Sequence, residues 1–252
     1  MPTFVFDGNP CHYAAHGLGE SNTPLLLLHG VGGIYLHWPP ALRRLRGRPV
    51  YALDLPGHGQ SSGPGLATMA DFVRLVSAWV EALAIETFAL GGHSLGSAIA
   101  LAYALAMPQR VQALLLVGTG PRLPVNAALL DLLQSDPAAA TARIAKLSYG
   151  PTVAADRRET HLQHLRAVDP TVLYNAFKAC NEFDVTAHLG AIAAPTLILA
   201  GADDRMTPPA LAQEVHAEIA ASTLRILPNT GHMIPIEQPQ ATTDAIAAFL
   251  RH

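Results

Sequence analysis

The chain has 252 residues, half of them apolar, and its 16 basic and 19 acidic residues give a net charge of −3. This length and composition support a sizeable buried core and give no sign of disorder. The basic residues are scattered, which argues against a nucleic-acid partner or an anionic membrane surface.

The N-terminal region lacks export and membrane signals. Residues 1–7 have no basic segment followed by an apolar core, and Leu25–Leu28 is too short to cross a bilayer. Cys11 and Cys180, the only cysteines, give neither a disulfide framework nor a metal-ligand spacing. We therefore expect a cytoplasmic protein with reduced thiols, no membrane partner, no metal and no other cofactor. The sequence leaves the oligomeric state open.

The first predicted elements are two antiparallel strands, Thr3–Phe6 and His12–Ala15, joined by a turn at residues 7–10. Short apolar runs typical of buried parallel strands follow at Leu25–Leu28, Val50–Leu53, Phe88–Leu90, Leu114–Val117, Thr196–Ala200 and Leu224–Leu227. Helical patterns occur at residues 72–83, 97–105, 210–221 and 241–250. This alternation predicts an α/β fold, with a mostly parallel central sheet covered by helices on both faces.

The alternation stops between residues 121 and 194. No run there resembles a central strand, and helix-start signals recur at Asp136-Pro137, Thr152 and Asp169-Pro170. We interpret residues 121–194 as a small helical cap or lid, inserted into a core domain formed by residues 1–120 and 195–252. An insertion between parallel strands emerges at the carboxyl edge of the sheet, where ligands bind. A lid over a site is therefore expected, and a merely stabilising flap is the alternative.

A candidate nucleophile lies between a predicted strand and a predicted helix, in Gly92-His93-Ser94-Leu95-Gly96. Gly-x-Ser-x-Gly in this context indicates a sharp, strained turn that exposes the serine hydroxyl. The glycines allow the strand and the helix to approach closely. The motif predicts that Ser94 is a nucleophile.

A serine nucleophile requires a base and an acid that orients the base. Asp203 and Asp204 follow the predicted strand Thr196–Ala200, and His232 follows the last predicted strand. Both turns should lie at the same sheet edge as Ser94. The chain order Ser, Asp, His is the one expected for a catalytic triad on such a sheet.

Motifs along nearly the whole chain resemble those of the α/β-hydrolase fold superfamily. Residues Gly92–Gly96 resemble its nucleophile elbow. The others are His29-Gly30-Val31-Gly32-Gly33, Asp54–Ser61, Pro108-x-x-Val111, Gly201-x-x-Asp204 with Pro208, and Gly231-His232 with Glu237-x-Pro239. The resemblance places the acid three residues after Gly201 and so implies Asp204 rather than Asp203. It implies a triad of Ser94, Asp204 and His232.

The oxyanion hole needs two backbone donors. We expect the N–H of Leu95, which opens a helix, and the N–H of Val31 in the glycine-rich loop. Other histidines receive structural roles: His29 and His58 fix loops, and His93 packs beside the turn. His161, His164, His188, His216 and His252 are expected on helices, at the surface or partly buried. The apolar substrate pocket is expected to include His37, Tyr149, Phe177, Met206 and Met233.

These observations favour a serine hydrolase that cleaves a small carboxylic ester through an acyl-enzyme, like a carboxylesterase. Two alternatives keep the triad but cleave a different bond. One is a carbon–carbon bond of a vinylogous diketone, and the other is the cyclic ester bond of a lactone. A third alternative is a binding or sensor protein of the same fold with slow turnover.

Overall fold

A mostly parallel sheet of eight strands forms the centre of the computed structural model, which describes residues 2–251. The strands are β1 (Thr3–Phe6), β2 (Asn9–His16), β3 (Leu25–Leu28), β4 (Val50–Leu53), β5 (Phe88–His93), β6 (Val111–Val117), β7 (Thr196–Gly201) and β8 (Ser222–Leu227). Their spatial order is β1-β2-β4-β3-β5-β6-β7-β8. The first two strands are antiparallel to their neighbours, and all later pairs are parallel. The predicted fold class is confirmed.

Helices cover both faces of this sheet. They are α1 (Pro40–Arg43), α2 (Met69–Ala82), α3 (Leu95–Ala106), α4 (Ala127–Ser135), α5 (Pro137–Ser148), α6 (Ala155–Ala167), α7 (Pro170–Glu182), α8 (Pro209–Glu218), α9 (Ile234–Glu237) and α10 (Pro239–Phe249). No helix among the described residues has the length and apolar character needed to cross a bilayer. His252 lies outside the described residues, so its expected helical position stays a prediction.

Strand β3 shows why the central strands are continuous apolar runs. Its side chains alternate between the two faces of the sheet. Leu26 and Leu28 join the core with α2 and α3, whereas Leu25 and Leu27 join a second core on the opposite face, with α1 and α10. All four leucines are fully buried. A strand covered on both faces has no position where a polar side chain would reach water.

Residues 121–194, here called the helical insertion, leave the sheet after β6 and return to it at β7. Helices α4 to α7 pack around their own apolar cluster, which includes Leu129, Leu133, Ile144, Leu165 and Leu173. Residues of the core also pack on this cluster, among them Val31 and Met206. Whether the insertion acts as a separate lid domain stays an interpretation.

Some helix boundaries in the insertion differ from those expected. The carboxylates of Asp136 and Asp169 cap α5 and α7, as their Asp-Pro pairs predict. Thr152 does not start a helix: α6 begins at Ala155, and no side chain caps it. The sequence interpretation also missed α4, which is capped by the Asn126 side chain.

Candidate active site

Ser94 lies on the sharp turn between β5 and α3. Its φ of 55° and ψ of −117° form a conformation that is strained for a residue with a side chain. A side chain at Gly92 would collide with the Gly96 backbone, and one at Gly96 would collide with the Leu28 carbonyl. The Ser94 N–H donates to the Val117 carbonyl at 2.9 Å, which holds the turn against β6. The turn thus keeps a partly exposed Ser94 at the carboxyl edge of the sheet.

A buried carboxylate and a buried imidazole meet beside this turn. Asp204 Oδ2 lies 2.8 Å from His232 Nδ1, and both side chains are almost completely buried. Nδ1 donates to the carboxylate, so Nε2 is left free to accept a proton. Asp203, the alternative acid, is exposed.

Four hydrogen-bond contacts converge on the Asp204 carboxylate. The backbone N–H groups of Met206 and Thr207 donate to Oδ1 at 2.8 and 2.9 Å. The Thr207 hydroxyl donates to Oδ2 at 2.7 Å, beside the His232 bond. Burial alone would raise the pKa of Asp204, but His232 and these donors hold that pKa below its ordinary value. Asp204 therefore stays ionised at neutral pH and fixes the orientation of the His232 ring.

Ser94 and His232 line the same cavity. The His93 ring packs against the His232 ring, with 4.9 Å between centroids, and His93 Nε2 donates to the His232 carbonyl at 2.8 Å. Burial, then the nearby His232 charge, lowers the pKa of His93 to about 3. A neutral His93 therefore supports the turn without adding a charge beside His232.

The loop after β3 faces the nucleophile. Gly30 is so close to the Ser94 turn that an added Cβ would lie 3.0 Å from the Ser94 Cβ. Among residues 2–251, neither the Val31 nor the Leu95 N–H donates to a backbone carbonyl. Both amides are thus available as the expected oxyanion donors. His29 holds the loop in place, because its Nε2 accepts from the Leu55 N–H at 2.9 Å.

This loop also contacts the helical insertion. Gly32 has a φ of +67°, and any side chain there would collide with Leu165 of α6. Leu165 is fully buried. The insertion therefore packs directly on the loop that holds one of the candidate oxyanion donors.

The Ser94 cavity is narrow, with a free volume of about 20 Å³, room for about one water molecule. Four of the five expected pocket residues line it, namely His37, Phe177, Met206 and Met233. Tyr149 does not line it but lines an adjacent outer cavity. The lining combines apolar side chains with six polar ones, namely His37, His93, Ser94, Ser148, His161 and His232.

His161 also lines this cavity, and the sequence interpretation missed it. It was expected to be a surface or partly buried residue, but only 3% of it is exposed. The spacing from His161 to Leu165 is one helical turn, so both residues lie on the same face of α6. That spacing was the available signal, but the apolar stripe of α6 is too sparse to identify its buried face.

Glu237 links the insertion to the turn that contains His232. Its carboxylate accepts from the N–H groups of Gly150, Gly231 and Met233 at 3.0, 2.9 and 3.1 Å. Gly150 belongs to the insertion, and the other two residues flank His232. Glu237 therefore has a structural role, as its position near a helix start suggests.

Across residues 2–251, no group of three or more His, Cys, Asp or Glu side chains is arranged to hold a metal ion.

The chain is similar to a known protein family and to known proteins. The model of a family described as "Alpha/beta hydrolase family" matches residues 25–245. A putative carbamate hydrolase of Variovorax paradoxus is 31% identical, over 96% of this chain and 96% of that protein. A pimeloyl-[acyl-carrier protein] methyl ester esterase of Pectobacterium carotovorum is 29% identical, over 92% and 95% of the two chains.

A solved structure has the same overall arrangement. A hydrolase from Pseudomonas aeruginosa superposes with a TM-score of 0.90 and 28% identity, covering 100% of this chain and 98% of that one. The similarity therefore includes the helical insertion as well as the sheet.

Proposed function

Since this chain belongs to the alpha/beta hydrolase family and is a hydrolase, we propose that it cleaves small carboxylic esters through an acyl-enzyme formed on Ser94. The observation that supports this most directly is the buried Asp204–His232 pair, 2.8 Å apart, in a site that it shares with Ser94. A histidine held in this way has a defined tautomer, with Nε2 as the base.

The first half-reaction forms the acyl-enzyme. His232 Nε2 takes the proton of the Ser94 hydroxyl while Oγ attacks the ester carbonyl carbon. The N–H groups of Val31 and Leu95 stabilise the oxyanion that develops on the carbonyl oxygen. The carbon–oxygen bond to the alcohol then breaks, and His232 returns its proton to the departing alkoxide.

The second half-reaction releases the acid. His232 removes a proton from a water molecule, which attacks the acyl-enzyme carbonyl, and the same two amides stabilise the second oxyanion. The bond to Ser94 breaks, and His232 protonates Oγ. Asp204 stays ionised throughout and stabilises the imidazolium that forms in each half-reaction.

The test is turnover of p-nitrophenyl esters of graded acyl length by the purified protein. We expect multiple turnovers with short acyl chains, because the cavity beside Ser94 is small. Ser94→Ala should lower kcat by about 10³-fold or more while the protein stays folded. Ser135→Ala is the matched control, since Ser135 is exposed on α4 and should leave kcat unchanged. Ester hydrolysis that persists in Ser94→Ala would contradict the proposal.

The rival functions differ in the same assay. Three further substrates are measured beside the esters: a lactone, a vinylogous diketone and a carbamate. The carbamate is included because one relative is named as a putative carbamate hydrolase. High turnover of one of these with negligible ester turnover would replace the ester assignment. A single burst without further turnover would favour a binding or sensor protein.

A further inference from the structure

An outer cavity adjoins the Ser94 cavity. It has a free volume of about 190 Å³ and lies between α6 and two core residues, His37 and Ile236. The two cavities share two lining residues, His37 and His161. These imidazoles therefore form the wall between the nucleophile and the outer cavity.

Two buried polar atoms have no hydrogen-bond partner within the described part of the chain, one in this wall and one in a residue that lines only the outer cavity. They are His161 Nδ1 and the Tyr149 hydroxyl. His161 is 3% exposed and Tyr149 is 2% exposed, and their rings meet edge to face with 5.5 Å between centroids. Buried polar groups in folded proteins are almost always hydrogen-bonded. These two belong to residues that contact each other and line the outer cavity, where a bound molecule can supply the missing partners.

The neighbouring side chains do not supply hydrogen-bond partners for His161 Nδ1 and the Tyr149 hydroxyl. His37 stacks on His164, and its Nε2 lies 3.4 Å from His164 Nδ1. The His37 and His161 rings meet edge to face at 5.8 Å, without a hydrogen bond between them. No carboxylate lines the Ser94 cavity, and in the outer cavity the carboxylate of Asp156 is an exposed one. No buried carboxylate therefore lines either cavity to accept from these groups.

Burial keeps His161 uncharged near neutral pH. It lowers the pKa of His161 to about 4, and the charges of His164 and His232 lower that pKa further. A neutral imidazole offers one N–H donor and one acceptor nitrogen, and a tyrosine hydroxyl offers another donor. This donor set is suited to an oxygen acceptor such as a ketone, a carboxamide or a carboxylate.

We propose that His161, together with His37 and Tyr149, forms a specificity subsite that binds an oxygen acceptor on the substrate, away from the carbonyl that Ser94 attacks. The preferred substrates are then short esters that contain a second carbonyl or carboxylate, rather than plain alkyl esters. The assignment deepens the proposed function and rests on it, since the subsite is defined relative to an ester on Ser94.

The test compares matched esters in which one CH₂ is replaced by C=O. Methyl levulinate against methyl valerate places the ketone in the acyl part, and acetoxyacetone against propyl acetate places it in the alcohol part. Monomethyl succinate adds a carboxylate. We expect the wild-type protein to have a kcat/KM at least 10-fold higher for the oxygenated member of one pair.

His161→Phe should reduce that ratio to near one, because phenylalanine keeps the ring volume but has no donor. His161→Asn and His161→Gln each restore an amide nitrogen near one ring nitrogen, and one of them should recover part of the ratio. His188→Phe is the control, since His188 is exposed and lines neither cavity. A ratio near one in the wild-type protein, or an unchanged ratio in His161→Phe, would overturn the subsite while leaving ester hydrolysis intact.

A binding measurement separates failure of the subsite from failure of the ester function. Ser94→Ala protein is titrated with methyl levulinate and monomethyl succinate, and the imidazole signals of His161 are followed by NMR. A ligand-dependent shift of His161 supports the subsite even if no ester is turned over. Because a carboxylate favours the imidazolium, protonation of His161 with succinate but not with levulinate would identify the carboxylate as the preferred acceptor. No shift with either ligand would contradict the proposal.

Discussion

At the scale of single residues, the candidate triad depends on a neighbour that the sequence motifs do not mark. Thr207 donates to the same carboxylate oxygen of Asp204 that accepts from His232. Its hydroxyl oxygen also lies 3.1 Å from His232 Nδ1. Thr207 does not need to touch the substrate, so its role in the proposed reaction is that of a positioning residue.

Thr207→Val tests this role. The substitution keeps the shape of the side chain but removes the hydroxyl, so Asp204 loses a donor and His232 a constraint on its orientation. We expect kcat to fall about 10-fold, with little change in KM.

Thr207→Ser is the matched control, because it retains the hydroxyl. Recovery of kcat in this variant, with KM unchanged in both variants, would support positioning through the hydrogen bond. If both variants lose activity equally, the role of Thr207 is packing alone.

At the scale of elements, the helical insertion and the turn that contains His232 are joined through one carboxylate. Glu237 accepts from Gly150, Gly231 and Met233. In addition, the N–H groups of His232 and Met233 both donate to the Ser148 carbonyl at the end of α5, at 3.0 Å. The position of the candidate base is therefore set from both the core and the insertion.

Glu237→Ala is expected to weaken this junction. It leaves the N–H groups of Gly150 and Gly231 without their acceptor, while Met233 keeps the Ser148 carbonyl. The loss should lower the free energy of unfolding by about 2–3 kcal/mol. The activity should fall more steeply with temperature than that of the wild-type protein, since the histidine turn loosens before the sheet. Urea denaturation and the temperature dependence of kcat measure the two effects.

Glu218→Ala is the control, because Glu218 is exposed at the end of α8 and makes no ion pair in the described structure. Equal stability of the two variants would show that the Glu237 hydrogen bonds contribute nothing to the junction.

The elements also show what local sequence can predict. The central strands were predictable because a strand buried on both faces is a continuous apolar run. Strand β5 extends past the predicted Leu90 through Gly91 and Gly92, since pairing with β3 and β6 overrides the weak strand preference of glycine. Helix α4 was missed because Asn126 caps it without the first-turn proline that marks α5 and α7.

The candidate site divides in the same way. Ser94, Asp204 and His232 lie in short motifs at strand ends, where the chain order and the local turn are sufficient to propose them. The position of His161 depends on how α6 packs over the core, and the cavity is shared by segments far apart in sequence. No local pattern contains that information.

At the scale of the whole molecule, the protein buries several histidines in the neutral form. Burial is the largest cause that lowers the pKa of each, to about 3 for His93 and about 4 for His161. It also lowers the pKa values of His29, His37 and His58. Their folded values lie below the 6.5 of an unfolded histidine, so below that pH the unfolded chain binds more protons than the folded one.

Stability should therefore be nearly constant between about pH 7 and pH 8 and should fall as the pH drops from about 6.5 towards 4. Each unit of pKa shift in one histidine corresponds to about 1.4 kcal/mol. Asp204 adds a loss in the same direction at still lower pH, because its folded pKa is lowered and its protonation removes the stabilising interactions. Urea unfolding measured between pH 8 and pH 4.5 tests the prediction.

His161→Phe should reduce the number of protons taken up on unfolding by up to one, so the free energy of unfolding should depend less steeply on pH. His188→Phe should leave this slope unchanged. A free energy of unfolding that stays flat from pH 8 to pH 5 would contradict the assignment of neutral buried histidines.

The contact between Gly32 and Leu165 has a practical consequence for protein engineering. Replacing the helical insertion with one from a relative is an attractive route to new substrates, because the insertion supplies much of the cavity wall. The residue that replaces Leu165 would then press on a loop whose shape was matched to the original partner. A grafted insertion must therefore be exchanged together with residues 30–33 of the same relative. Chimaeras that exchange the insertion alone are expected to fold but to have a lower kcat.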